Sequence, residues 1–156
     1  LKQLGVHWWN IPSLLKVQRQ EMESHANEIK PFPAMGPVLH QLHTDGQRLF
    51  IVSTNTAANI EVFLKNHDMR QFFDQIYDSV GLFAKAKTLR KIMREQHLAA
   101  SDCFYVGDEV RDMETAERVG NRAVAVSWGY NRPEALTAAH PHALVNTPEE
   151  LLRSLH

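Results

Sequence analysis

A single cysteine, Cys103, stands among 156 residues, which excludes both a disulfide framework and a cysteine metal cage. A reducing, cytoplasmic setting is the expectation. Long hydrophobic runs are also missing: none approaches the ~20 residues that a membrane-crossing helix requires. Nor is there an excess of charge of either sign. With 17 Lys+Arg against 18 Asp+Glu the formal net charge is -1, so a grip on nucleic acid through bulk positive charge is not expected. Glycine and proline number seven each and are scattered as punctuation, with no internal repeat or low-complexity stretch. What remains, 44% hydrophobic and 22% charged residues, is an ordinary globular composition. Its length suits one domain with a small appendage.

The chain begins at Leu1, with Trp8 and Trp9 close behind and no signal-peptide pattern, and reads as a sequence joined partway through. Residues 11–30 are polar and helix-friendly, with Leu15, Met22 and Ile29 seven apart on one stripe. Pro31-Phe32-Pro33 stops that segment and marks the expected boundary between appendage and main domain. Beyond it Met35, Val38, Leu39 and Leu42 keep helical spacing, and Asp45-Gly46 ends the helix. A buried strand is predicted over residues 49–53, then a helix carrying Ile60, Phe63 and Leu64. A weaker strand over 75–77 precedes a helix with Leu89, Ile92 and Met93. Residues 103–106 read as a strand, Met113, Ala116 and Val119 as a helix closed by Gly120, and 123–126 and 143–145 as further strands. Thr147-Pro148-Glu149-Glu150 has the spacing of a capping box, with proline at the first helical position, and opens the last helix. Strands alternating with helices predict an α/β fold: a Rossmann-like parallel sheet with helices on both faces. Such sheets carry their chemistry in loops beyond the carboxyl ends of the strands.

Three features sit at those ends. Ser53, Thr54 and Asn55 follow the first strand and lead into a helix. Hydroxyls and free N–H groups there suit a phosphate; alternatively Ser53 or Thr54 merely caps the helix. Gly107-Asp108-Glu109-Val110-Arg111-Asp112 follows the 103–106 strand. Two carboxylates four apart, one turn if the helix starts there, suit a hard divalent cation such as Mg²⁺, or else form a capped acidic first turn. Lys85 and Lys87 flank the start of a helix, from which a lysine can balance phosphoryl charge or simply stay solvated. Among the nine histidines, His40 and His43 are three apart without an acidic partner. Trp128-Gly129-Tyr130-Asn131 either lines a substrate mouth or packs its loop.

The order of these features resembles the haloacid dehalogenase superfamily, in its phosphoglycolate-phosphatase-like branch. Ile51-Val52-Ser53-Thr54-Asn55 is similar to that family's second motif, Lys85 to the third-motif lysine, and Tyr105 through Asp112 to the fourth motif. The resemblance runs from about Pro31 to the end. It implies a core domain over residues 31–156 that lacks its first strand, with residues 1–30 as the C-terminal part of a small helical cap. The family's first motif, Asp-x-Asp-x-Thr, which supplies the nucleophile and the general acid/base, is absent; no Asp-x-Asp occurs in the chain.

The resemblance implies a Mg²⁺-dependent phosphatase acting on a small phosphorylated metabolite, phosphoglycolate-like compounds included, in the complete parent protein. Thr54 and Lys85 hold the phosphoryl oxygens, helped by Ser53 and Asn55, while Asp108 and Asp112 anchor Mg²⁺. The chain alone is then expected to be inactive. Other readings are a non-catalytic fragment or pseudoenzyme, or a phosphotransferase of the sugar-phosphate mutase type. In the family the first strand lies between the strands ending at Val52 and Val106. Its loss predicts a poorly stable chain, or self-association through the missing-strand slot.

Overall fold

A computed structural model describes residues 29–79 and 84–155. The expected stripe of Leu15 and Met22, with Trp8 and Trp9, lies outside the described residues. The architecture is α/β, and the described residues form five short parallel strands alternating with helices.

The first helix, α1 (Met35–Thr44), buries Val38 and Leu42 and stops where Gly46 takes φ +78°, a left-handed turn that glycine enters at little cost. Strand β1 (Phe50–Ser53) leads to α2 (Ala57–Asn66), and β2 (Gln75–Asp78) pairs with β1 in parallel, Val52 opposite Tyr77. Helix α3 (Ala84–Glu95) points Ala86, Leu89 and Ile92 inward. Strand β3 (Phe104–Gly107) is followed by α4 (Val110–Val119), which closes on Gly120 at φ +82°. Strand β4 (Arg122–Val126) lies between β3 and β5 (Ala143–Val145), and α6 (Pro148–Ser154) ends the fold. Thr147 caps α6 by accepting from the Glu150 N–H at 3.2 Å. Glu150 reaches back one residue further than the capping-box pattern predicts, to the Asn146 N–H at 2.7 Å.

One helix escaped the sequence reading: α5 (Pro133–Ala138), six residues opened by a proline at its first position. Its Leu136 is wholly buried beside Met113 and Ala116, so packing, rather than an amphipathic run, holds it in place. Both faces of β4 are covered. Ala123 and Ala125 face α4 and α5, whereas Val124 and Val126 pack with Val145, Leu151 and Met35. The alternation of small and β-branched residues along a central strand fits the two layers.

The strands form two sheets. Among the described residues β1 pairs only with β2, and β3 pairs with β4, which pairs with β5. Between the outer edges of β1 and β3 lies a cavity of about 570 Å³, lined by Phe50, Ile51 and Val52 on one side and Phe104, Tyr105 and Val106 on the other. Helix α3 spans it, packing against both β1 and α4.

Candidate functional site

The carboxyl end of β1 is built by a local chain of hydrogen bonds. Ser53 Oγ accepts from the Asn55 N–H at 3.1 Å, and Asn55 Oδ1 accepts from Thr56 N–H at 2.8 Å and from Asn59 Nδ2 at 3.1 Å. The helix cap is Thr56, whose Oγ1 accepts from the Asn59 N–H at 3.3 Å. Neither Ser53 nor Thr54 caps α2, contrary to the simpler expectation for them. Thr54 is exposed at this strand end.

The second group lies at the carboxyl end of β3. Asp108 falls before α4 rather than in its first turn, because the helix begins at Val110 with Glu109 as its N-cap residue. The two carboxylates therefore do not share a helical turn, as spacing alone suggested. Asp112 lies in the first turn of α4 and is 3% exposed. Lys85 Nζ, from the first turn of α3, donates to Asp112 Oδ1 at 2.5 Å, and Tyr105 Oη donates to the same oxygen at 3.3 Å. The structure thus selects Lys85 for this contact; Lys87, two residues on, is exposed.

Two glycines make room for the two acids. A Cβ on Gly107 would come within 2.6 Å of the Asp112 carboxyl, and one on Gly129 would overlap Asp108 Oδ2. Each carboxylate occupies the space where an ordinary side chain would begin. Asp108 Oδ2 also accepts from the Tyr130 N–H at 2.7 Å. Gly129 and Tyr130 belong to the loop after β4, so a neighbouring strand supplies half of the cradle.

Electrostatics follow this packing. Burial, then the Asp112 carboxylate as charge and as hydrogen-bond partner, pushes the Tyr105 hydroxyl far above its ordinary range. Glu109 pairs with Arg111 at the rim, which holds the Glu109 carboxyl below the usual carboxylate range and raises the guanidinium in turn. Trp128 packs its loop: its ring stacks on Phe32 with centroids 5.0 Å apart, and it joins the core beside Val126. His40 and His43 both pack around the Phe72 ring. Among the described residues no helix is long and apolar enough to cross a membrane.

Asp108 and Asp112 offer hard oxygen donors in glycine cradles, which suits a divalent cation that completes its shell with water and substrate. Among the described residues no group of three His, Cys, Asp or Glu side chains could enclose an ion.

The sequence pattern of haloacid dehalogenase-like hydrolases matches residues 1–126. The chain is 32% identical over 155 residues to a phosphoglycolate phosphatase of Synechococcus elongatus, covering 99% of this chain and 73% of that protein. It is 23% identical over 124 residues to a phosphoglycolate phosphatase of Vibrio parahaemolyticus, covering 78% of this chain but 54% of that one. The structure of a predicted phosphatase from Clostridium acetobutylicum superposes with a TM-score of 0.87 at 18% identity, over 99% of this chain and 73% of the other. That last likeness is one of fold.

Proposed function

The chain belongs to the haloacid dehalogenase-like hydrolase family, and on that premise we propose that it is the greater part of a Mg²⁺-dependent phosphatase for a small phosphorylated metabolite, with a phosphoglycolate-like acid as the substrate class. The observation that carries the reading is the 2.5 Å contact between Lys85 Nζ and Asp112 Oδ1, which joins a cation to a buried carboxylate in the same motif as Asp108. A phosphoryl group needs both at once: positive charge on its oxygens, and acids that hold a metal against them.

In this reading Asp108 and Asp112 hold Mg²⁺, which supplies Lewis-acid stabilisation of the phosphoryl oxygens. Lys85 divides its charge between Asp112 and an incoming phosphoryl oxygen. Thr54 donates its hydroxyl to a second oxygen, with Ser53 and Asn55 shaping the backbone that presents it. The attacking group is an aspartate of an Asp-x-Asp strand that is not among these 156 residues. Residues 31–156 are then a core lacking that strand, and residues 1–30 the end of a cap. The work is cytoplasmic, and the partner is the metabolite rather than nucleic acid or membrane.

The test joins the chain to a strand ending in Asp-x-Asp-x-Thr and measures phosphate release from 2-phosphoglycolate with and without Mg²⁺. Release that depends on Mg²⁺ and is lost in Lys85→Ala and Asp108→Asn supports the reading. Full activity in Lys85→Ala overturns it. Movement of the phosphoryl group between positions of a sugar phosphate, without net release, points instead to a mutase.

A further inference from the structure

Helix α4 begins without a cap of its own. Glu109 occupies the N-cap position, yet its side chain makes no capping bond, because both carboxylate oxygens are turned to Arg111. The first helical N–H, that of Val110, is nevertheless satisfied. It donates to Asn131 Oδ1 at 2.9 Å, a side chain 21 residues away in the loop after β4. A helix end capped by a remote residue is tied to that residue's loop as well as to its own turn.

The same loop holds Asp108 at two further points. The Asn131 N–H donates to the Asp108 carbonyl at 3.0 Å, and the Tyr130 N–H donates to Asp108 Oδ2 at 2.7 Å. Gly129 closes the arrangement, because a Cβ there would overlap that same oxygen. Asn131 therefore grips the turn on both sides of Glu109: at the carbonyl of Asp108 and at the amide of Val110. With Oδ2 engaged by Tyr130, no described residue bonds the other carboxylate oxygen, Oδ1.

We propose that Asn131 is a positioning residue for Asp108: it caps α4 from the neighbouring loop and so fixes which carboxylate oxygen the loop holds and which it leaves for a ligand. The proposal rests on the reading of Asp108 as a cation ligand for its functional meaning, but its geometry is independent of any metal. Asn131 touches neither substrate nor metal; it acts through the Gly107–Val110 turn. The remote cap leaves Glu109 free to pair with Arg111 at the rim. A local Ser, Asp or Asn cap at position 109 would have forgone that pair.

Two measurements on the whole chain test it. Amide hydrogen exchange by NMR reads the grip directly, without metal. Asn131→Ala is expected to lose the protection of the Val110 and Tyr130 amides together, while Asn131→Asp, which keeps an acceptor oxygen in place, retains it. Wild-type protection of the Tyr130 amide in Asn131→Ala overturns the proposal. A Mn²⁺ titration followed by water-proton relaxation then reads the consequence. Outer-shell changes typically weaken a metal by roughly 10–100-fold, and Asn131→Ala is expected at the lower end. Asn131→Asp should recover most of the affinity. Asn131→Glu, with the same charge on a longer side chain, should recover little. If Asn131→Ala only lowers the melting temperature and leaves Mn²⁺ affinity unchanged, Asn131 is structural and the proposal fails. If Asp108→Asn binds Mn²⁺ as the wild type does, the cation reading fails, whatever the amides show.

Discussion

Lys85 Nζ and Asp112 Oδ1 meet at 2.5 Å, although 27 residues separate them and they open different helices. Asp112 is almost wholly buried, and Lys85 keeps about a fifth of its side chain in solvent. The pair is therefore sealed on the acid's side and open on the cation's side. An ion pair of this kind adds little net stability when complete, since desolvation offsets most of the attraction. On the proposed reading its asymmetry has a use: the acid stays fixed while the ammonium keeps a route to a phosphoryl oxygen.

Removing the lysine should expose the cost of that design. Lys85→Ala leaves a buried carboxylate with, among the described residues, only the Tyr105 hydroxyl as side-chain donor. A loss of about 3 kcal/mol is expected, the lower end for breaking a buried pair. Replacing both partners, Lys85→Met with Asp112→Leu, should return most of it. Urea unfolding of the single and double variants checks this. A Lys85→Ala chain as stable as the wild type would mean that water reaches Asp112 after all.

Gly107 should resist substitution even by alanine. The added Cβ would lie 2.6 Å from Asp112 atoms, closer than carbon and oxygen approach without bonding. Either β3 shifts or Asp112 turns away from Lys85. A stability loss of about 1–3 kcal/mol is expected from such overpacking. The ¹H–¹⁵N shifts of α4 should move with it, and an unperturbed spectrum would show that the cradle is looser than the distances indicate.

Tyr105 gives a pH dependence with a definite sign. Its hydroxyl is raised in the folded chain by burial and by the Asp112 carboxylate, while the unfolded chain ionises near the ordinary value of about 10. Below that pH both states hold the proton and the contribution is fully present. Above it the unfolded chain binds fewer protons, so stability falls as pH rises, by at most about 1.4 kcal/mol per pH unit. Melting curves between pH 9 and 11 should show a steeper decline for the wild type than for Tyr105→Phe. Parallel declines would place the loss on other groups.

The elements with a strong hydrophobic period were legible in the sequence: α1, α3 and α4 each carry an apolar stripe, and β4 is apolar from Ala123 to Val126. Helix α5 was not, because six residues with one buried leucine make no period, and only Pro133 marked it. The motif residues Asp108, Asp112 and Lys85 could be picked out because spacing along a chain is a one-dimensional signal. The choice of Thr56 as the cap of α2 could not be read, since three consecutive polar residues precede it and the turn geometry decides among them. Asn131, Gly129 and Tyr130 reach Asp108 only through the packing of β4 beside β3. Contacts between loops of adjacent strands leave no fixed spacing to find.

The facing edges of β1 and β3 lead to the last prediction. Among the described residues each of these strands pairs on one side only, and the cavity of about 570 Å³ between them has apolar walls, Ile51 and Val52 against Phe104 and Val106. Backbone N–H and C=O groups along both edges need partners, and each buried group left without one costs about 1–3 kcal/mol. A domain is stable by only about 5–15 kcal/mol, so a few such groups matter. One extended strand, parallel to both neighbours, would pair both edges at once and fill the cavity with its side chains. A synthetic peptide of alternating apolar residues ending in Asp-x-Asp-x-Thr should therefore raise the melting temperature of the chain, and a scrambled peptide should not. Without the peptide, the exposed edges should drive association between copies, seen as a mass that rises with concentration in analytical ultracentrifugation. A cooperative, high-melting monomer indifferent to the peptide would show that β1 and β3 close on each other in solution and that no strand belongs between them.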